Sequence, residues 1–264
     1  MLDLIFPNVC PFCEYPSGDR EVCKRCKDHI VYINERSVCL SCGVPFRVAE
    51  PSNVDHFTGS SPGDCPADGQ PHRVDAVIPR DIADRHFCGR CLRGEFNFLK
   101  ARSVAYYDGL LRDMLHKFKY NGKLSLGRVL SRLMSENYPK DMDEVELIVT
   151  VPLHVSKLRK REFNQSVILA SGLTRKLGVP LDPFVMVKLR ETRPQVEVSD
   201  EGERRRNVKG VFSVVNPVAI KRKSLLLVDD IFTTGSTVNE CARVLLQGGA
   251  SKVQVLTLLR ASQR

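Results

Sequence analysis

The chain has 264 residues, 42% apolar and 27% charged, with ten cysteines, no tryptophan and a formal net charge of +9. That length suits about two domains, and no apolar run approaches the roughly 18 to 20 residues of a membrane-spanning helix. The basic balance favours phosphate-bearing or polyanionic partners, and the beginning of the sequence lacks the basic segment and cleavage pattern of an export signal, so a cytoplasmic location is expected.

Eight of the ten cysteines fall before residue 92 in four CxxC pairs, Cys10 with Cys13, Cys23 with Cys26, Cys39 with Cys42 and Cys88 with Cys91. In a reducing compartment this spacing marks metal ligands rather than disulfides. Four thiolates satisfy tetrahedral zinc and each pair supplies two of them on one turn, so two zinc sites are expected. Sequential pairing is the simplest arrangement, and an interleaved order satisfies the same spacing. Coordination by cysteine alone leaves no open position, which makes both metals structural. Between the third and fourth pairs, residues 44–87 are rich in Pro, Gly, Ser and Asp without a period and read as a long loop. His56, Cys65 and His72 stand alone within it and read as loop residues. The composition changes near residues 92–102, so a zinc-ribbon region over 1–99 and a second domain over 100–264 are expected.

The second region alternates strands and helices. RSVAYYDG opens it as a strand, and helices are expected over residues 110–120 and 124–138. ELIVTVPLH is a short apolar run that empties into a loop at Pro152. FNQSVILASGLTRKLG reads as a helix stopped by Gly178. A strand near 183–188, a charged segment to Asn207 and a strand over 208–214 follow. LLLV at 225–228 is an apolar strand, then a helix starts near Ser236 with Val238, Cys241, Ala242, Leu245 and Leu246 on its apolar face, and KVQVLTLL ends the chain as a strand. Cys241 therefore reads as core. The pattern is α/β, a mostly parallel sheet with helices on both faces.

Ligands of such sheets bind at the carboxyl ends of strands. Asp229 and Asp230 stand there, followed by Thr233, Thr234, Gly235, Ser236 and Thr237 at the start of a helix. Hydroxyls, backbone N–H groups and a helix dipole suit a phosphate, Gly235 lets the backbone approach it, and the paired acids suit vicinal sugar hydroxyls, directly or through hydrated magnesium.

LLLVDDIFTTGST resembles the phosphoribosyl-diphosphate (PRPP) motif of type I phosphoribosyltransferases. VPLHVSKLRKREFNQ and ETRPQVEVSDEGERRRNVKGVF are similar to signatures of one branch, the ComF family, whose members also carry N-terminal zinc knuckles. The resemblance implies a type I phosphoribosyltransferase fold behind a double zinc ribbon. It implies that Asp229 and Asp230 are the catalytic pair that grips the ribose, that residues 233–237 hold the 5′-phosphate, and that Arg159, Arg161, Asn164 and Gln165 bind diphosphate together with magnesium. Arg204 and Asn207 would belong to a mobile flap over the substrate. Glu162 stands where the family has glycine, which puts an acid beside the diphosphate. The implied reaction is displacement of diphosphate at the ribose anomeric carbon by a nitrogen nucleophile, and no purine or pyrimidine pocket is recognisable in the sequence, so the acceptor is unnamed.

The same resemblance implies a role in natural competence and DNA uptake, with single-stranded DNA and helicase or recombination proteins as partners. The alternative is a catalytically inactive single-stranded-DNA-binding or adaptor protein. KLRKR and RRRNVK fit a phosphate-tracking surface, whereas 7% aromatic residues offer few stacking platforms.

Overall fold

The computed structural model of the chain describes residues 9–13, 15–17, 22–46, 86–120, 124–192 and 201–261. Most of the 44–87 tract, with His56, Cys65 and His72, and residues 193–200 of the charged segment lie outside them. The cysteine-rich region contributes α1 (Lys24–Asp28) and α2 (Gly89–Leu92). Then come β1 (Lys100–Tyr106), α3 (Gly109–Tyr120), α4 (Leu124–Glu136), β2 (Leu147–Thr150), α5 (Val155–Arg161), α6 (Gln165–Leu177) and β3 (Met186–Lys188). The chain continues through α7 (Glu201–Val208), β4 (Phe212–Val214), α8 (Pro217–Ile220), β5 (Ser224–Phe232), α9 (Ser236–Gln247) and β6 (Lys252–Arg260).

Four strands form a parallel sheet in the order β1-β6-β5-β2. Strands covered on both faces are apolar throughout, and β5 and β6 are buried along most of their length. Alternation assigns Leu226 and Val228 to a core with α3, α4 and α6, and Leu225 and Leu227 to a second core with α9. The helices follow their apolar periods: α3 buries Leu110, Leu111, Met114, Leu115 and Phe118, and α4 buries Leu126, Leu130, Leu133 and Met134. α6 stops at Gly178 in the left-handed conformation, as its sequence predicts. Cys241 is buried in the α9 core.

β1 is an edge strand, and the cysteine-rich region covers that edge. Tyr106 N–H donates to Val31 O at 3.0 Å, Ile33 N–H to Val104 O at 3.1 Å and Ala101 N–H to Ser41 O at 2.7 Å. Pairing removes the exposed ladder groups that make an edge prone to aggregation. Cys10, Cys13 and Cys26 pack into the same core as Leu111 and Met114, while Cys39 and Cys42 join the core on the opposite face. Two buried arginines tie the Cys39–Cys42 turn to the sheet: Arg102 donates to the carbonyls of Cys39, Leu40 and Ser41, and Arg260 to that of Cys42.

Several elements differ from the sequence expectation. The loop after Pro152 contains α5, which buries no side chain, so it has no apolar stripe to betray it. Good helix formers and a His154 cap, whose Nδ1 accepts from Ser156 N–H at 3.3 Å, suffice. The charged segment likewise contains α7, and the strand expected over 208–214 shortens to β4. β5 runs past Val228 to Phe232, because β6 continues the ladder opposite Asp229, Ile231 and Phe232 after β2 has ended opposite Val228.

Candidate functional site

The eight paired cysteines form two clusters in sequential order, Cys10, Cys13, Cys23 and Cys26, then Cys39, Cys42, Cys88 and Cys91, and within each the sulfurs lie inside 4.8 Å of one another. The interleaved order is thereby excluded. Sulfur separations of 3.7 Å for Cys13 to Cys23, 3.6 Å for Cys39 to Cys91 and 3.5 Å for Cys42 to Cys88 are close to the edge of a zinc tetrahedron, about 3.8 Å for Zn–S bonds of about 2.3 Å. Backbone amides support the sulfurs, with Cys23 N–H on Cys10 at 3.3 Å and Cys88 N–H on Cys39 at 3.2 Å. The donor sets fit two structural zinc ions.

The acid pair lies where β5 outruns β2. Asp229 Oδ1 accepts from Ser166 Oγ at 3.1 Å and from Asp230 N–H at 2.9 Å. Burial, and secondarily the charge of Asp230, push Asp229 up to about 7, against the pull of the Asp230 amide, Lys119 and Ser166. Asp230 pairs with Lys119 Nζ at 2.7 Å, both side chains being largely enclosed. Lys119 and Ser166 were not among the residues singled out from the sequence. Lys119 looks there like one of several surface lysines, and Ser166 like a polar position of a helix; only packing of α3 and α6 over the end of β5 brings them to the acids.

The hydroxyl turn follows at once. Gly235 caps α9 with φ 80°, and a Cβ there would stand 2.4 Å from Phe232 Cζ. Both the left-handed backbone and the ring behind it demand glycine. Thr234 Oγ1 lies 2.8 Å from Ser236 Oγ and accepts from Ser236 N–H at 3.4 Å. The loop thus gathers hydroxyls at the positive end of the α9 dipole.

Of the four residues tied to diphosphate, Gln165 is buried beside Ser166, and its Nε2 has no hydrogen-bond partner among the described residues. The same holds for Thr150 Oγ1 at the end of β2. Two polar atoms left unsatisfied beside the acid strand are what a polar ligand would complete. Asn164, by contrast, is occupied as the α6 cap: its Oδ1 accepts from Ser166 N–H at 3.0 Å and its Nδ2 donates to Val151 O at 3.0 Å. Arg161 stacks 4.9 Å over Tyr120, and Arg159 is exposed on α5. Glu162 ends α5 at φ 66°, a left-handed position that glycine fills without strain.

The second cysteine cluster reaches this site. Arg90, on α2, donates to Thr234 O at 3.2 Å and to Glu95 at 3.0 Å, and stacks 4.6 Å from Phe96. Glu95 also binds Arg93 and, on α7, Arg205. Burial pushes its carboxyl up, but the bonds from Arg93, Arg205 and Arg90 win and hold it at about 2. Asn97 N–H donates to Asn239 Oδ1 at 2.6 Å, and Asn239 Nδ2 to Glu95 O at 3.0 Å. The segment bearing Arg204 and Asn207 is therefore docked through its neighbour Arg205, and α9 is clamped one turn past the phosphate loop.

Residues 1–92 match the double zinc ribbon domain, and residues 164–264 the phosphoribosyl transferase domain. The chain is 34% identical over 178 residues to DNA utilization protein YhgH of Escherichia coli (strain K12), covering 66% of this chain and 77% of that one. It is 31% identical over 180 residues to Competence protein F of Haemophilus influenzae, covering 66% and 78%. Among solved structures, glutamine phosphoribosylpyrophosphate amidotransferase from B. subtilis aligns with 20% identity and a TM-score of 0.34, over 50% of this chain and 25% of that one. Among the described residues no helix is long and apolar enough to cross a membrane.

Proposed function

The chain belongs to the family of Competence protein F and DNA utilization protein YhgH, with a double zinc ribbon and a type I phosphoribosyltransferase fold, and from that premise we propose that it binds PRPP or a related ribose phosphate at the end of β5 in the service of DNA uptake. The observation that carries the reading is the continuity of one short segment: Asp229 and Asp230, enclosed at the sheet edge, run directly into the Gly235 cap of α9. A ribose 5-phosphate laid across it meets carboxylates at its hydroxyls and hydroxyls plus a helix terminus at its phosphate. Thr233, Thr234, Ser236 and Thr237 are the proposed phosphate contacts.

In this proposal Gln165, Arg159 and Arg161 face the diphosphate, and Asn164 keeps Ser166 in place rather than touching ligand. Displacement of diphosphate builds positive charge on the ribose and negative charge on the leaving group. The enclosed acids stabilise the first and the α5 cations the second. Magnesium, bound to the diphosphate, would neutralise part of the leaving charge. Cytoplasmic residence and the division into 1–99 and 100–264 belong to the same proposal.

Incubation of the zinc-loaded chain with PRPP, magnesium and a panel of nitrogen nucleophiles tests turnover through diphosphate release, and calorimetry tests binding. Binding that Asp229→Asn with Asp230→Asn abolishes is expected; affinity unchanged by that pair would overturn the assignment. The alternative of an inactive adaptor is not favoured, yet single-stranded DNA as a partner is supported by α5, whose Arg159 and Lys160 are exposed and whose Arg161 stacks on the exposed Tyr120. Affinity for a single-stranded oligonucleotide should fall steeply with salt and weaken in Arg159→Ala with Lys160→Ala. Salt-independent binding would argue against that surface.

A further inference from the structure

Two carboxylates side by side normally attract a divalent cation, because oxygen ligands and negative charge are what magnesium and manganese require. Here that attraction is already answered from within. Lys119 Nζ sits 2.7 Å from Asp230 Oδ2, with side-chain exposures of 17% and 15%, so the pair is held out of bulk water. Asp229 spends its Oδ1 on Ser166 Oγ and the Asp230 amide. A second lysine, Lys188 of β3, is close enough for Asp229 to act on its charge, while its Nζ donates to Thr192 Oγ1 at 2.8 Å. The groups around the acids therefore include Lys119 from α3, Ser166 from α6, Lys188 from β3 and the buried Cys241 thiol of α9, on which the charge of Asp229 also acts, so that two lysines stand near two carboxyls. Burial further weakens the case for a metal, since it raises Asp229 toward its neutral form.

Resting on the ribose-phosphate reading, we propose that Lys119 is the specificity-determining residue at the sugar end of the site: its ammonium holds the place beside Asp230 that a divalent cation would need, so the acid pair receives a ribose phosphate through its hydroxyls and takes no metal ion of its own. The two requirements are chemically distinct. A vicinal diol offers O–H donors that a carboxylate can accept while it still pairs with an ammonium, because an ionised carboxylate has about four lone-pair sites. A dication needs the same lone pairs stripped of a competing charge and is repelled by a fixed ammonium at hydrogen-bond distance. Lys119 thereby selects sugar over metal, and any magnesium at this site enters with the diphosphate of the substrate.

The test uses the full zinc-loaded chain with manganese as probe, read by electron paramagnetic resonance. Wild type and Lys119→Arg should show no Asp230-dependent manganese site. Lys119→Met should gain a manganese site about tenfold or more tighter than the background binding of wild type, and adding Asp230→Asn should remove that site. Zinc content and the thermal transition identify a variant that has failed to fold, in which case Lys119→Gln replaces Lys119→Met. A second arm measures ribose 5-phosphate binding to wild type with and without magnesium, and unchanged affinity is expected. The proposal is overturned if wild type holds a manganese ion that Asp230→Asn releases, if a folded Lys119 variant without a cation gains none, or if ribose 5-phosphate needs magnesium. Complete failure of ribose 5-phosphate to bind would instead overturn the ribose-phosphate reading, while the manganese arm still decides the role of Lys119.

Discussion

At the scale of single residues, the site is built from groups that do not suit folding. Asp229 is a carboxyl raised from 3.8 to about 7 by burial and by Asp230. A raised acid binds its proton more tightly in the folded state, so its contribution to stability is present below about pH 4 and is lost as pH climbs through about 7. Asp229→Asn keeps an oxygen for Ser166 and the Asp230 amide without the buried charge. It should therefore melt at higher temperature than wild type near pH 8, the gain shrinking toward pH 4, while ribose phosphate binding is lost. A gain independent of pH would refute the titration. Glu162, an L-residue at φ 66°, carries backbone strain of about 1 kcal/mol that glycine would relieve. Glu162→Gly should raise the melting temperature and tighten PRPP through loss of the acid, with ribose 5-phosphate unchanged; equal effects on both ligands would detach Glu162 from the diphosphate end.

At the scale of elements, the second cysteine cluster acts as a bracket. Its α2 presents Arg90 to the phosphate loop, and Glu95 three residues beyond α2 gathers Arg90, Arg93 and Arg205. Removing Glu95 takes a charged hydrogen bond from each of three arginines, at about 1.5 to 3 kcal/mol for the enclosed one to Arg90, which keeps its bond to Thr234 O. In Glu95→Ala, amide hydrogen exchange should accelerate across α7 and the first turn of α9 while the zinc content is retained. Protection unchanged in both elements would show that the bracket is dispensable. Zinc removal should reach further, because Arg102 and Arg260 tie the Cys39–Cys42 turn to β1 and β6.

For the whole molecule, the expected division at residue 99 sits within a continuous set of contacts. Cys10 and Cys26 share a core with Leu111 and Met114, and the 31–41 stretch completes the ladder of β1. A chain that begins at residue 100 would expose that edge and strip both cores, so it should be aggregation-prone, and the full protein should unfold in one zinc-dependent transition. A soluble, cooperatively melting 100–264 fragment would contradict this.

The legibility of each part follows its physics. The four CxxC pairs, the buried strands and the Asp-Asp to Gly235 segment could be read directly, because thiolate spacing, two-sided burial and a tight anion-binding turn are all local constraints on consecutive residues. α5 and α7 could not, since neither turns an apolar stripe to a core, and the full length of β5 could not, since it depends on where β6 ends. The sequence by itself determined the metal chemistry, the fold class and the strand that carries the acids. Only the tertiary structure decided the zinc pairing, the approach of Lys119 to Asp230 from 111 positions away along the chain, and the reach of Arg90 to Thr234. Contacts between residues so far apart arise from the packing of whole elements, and no local pattern encodes which lysine a buried carboxylate will meet.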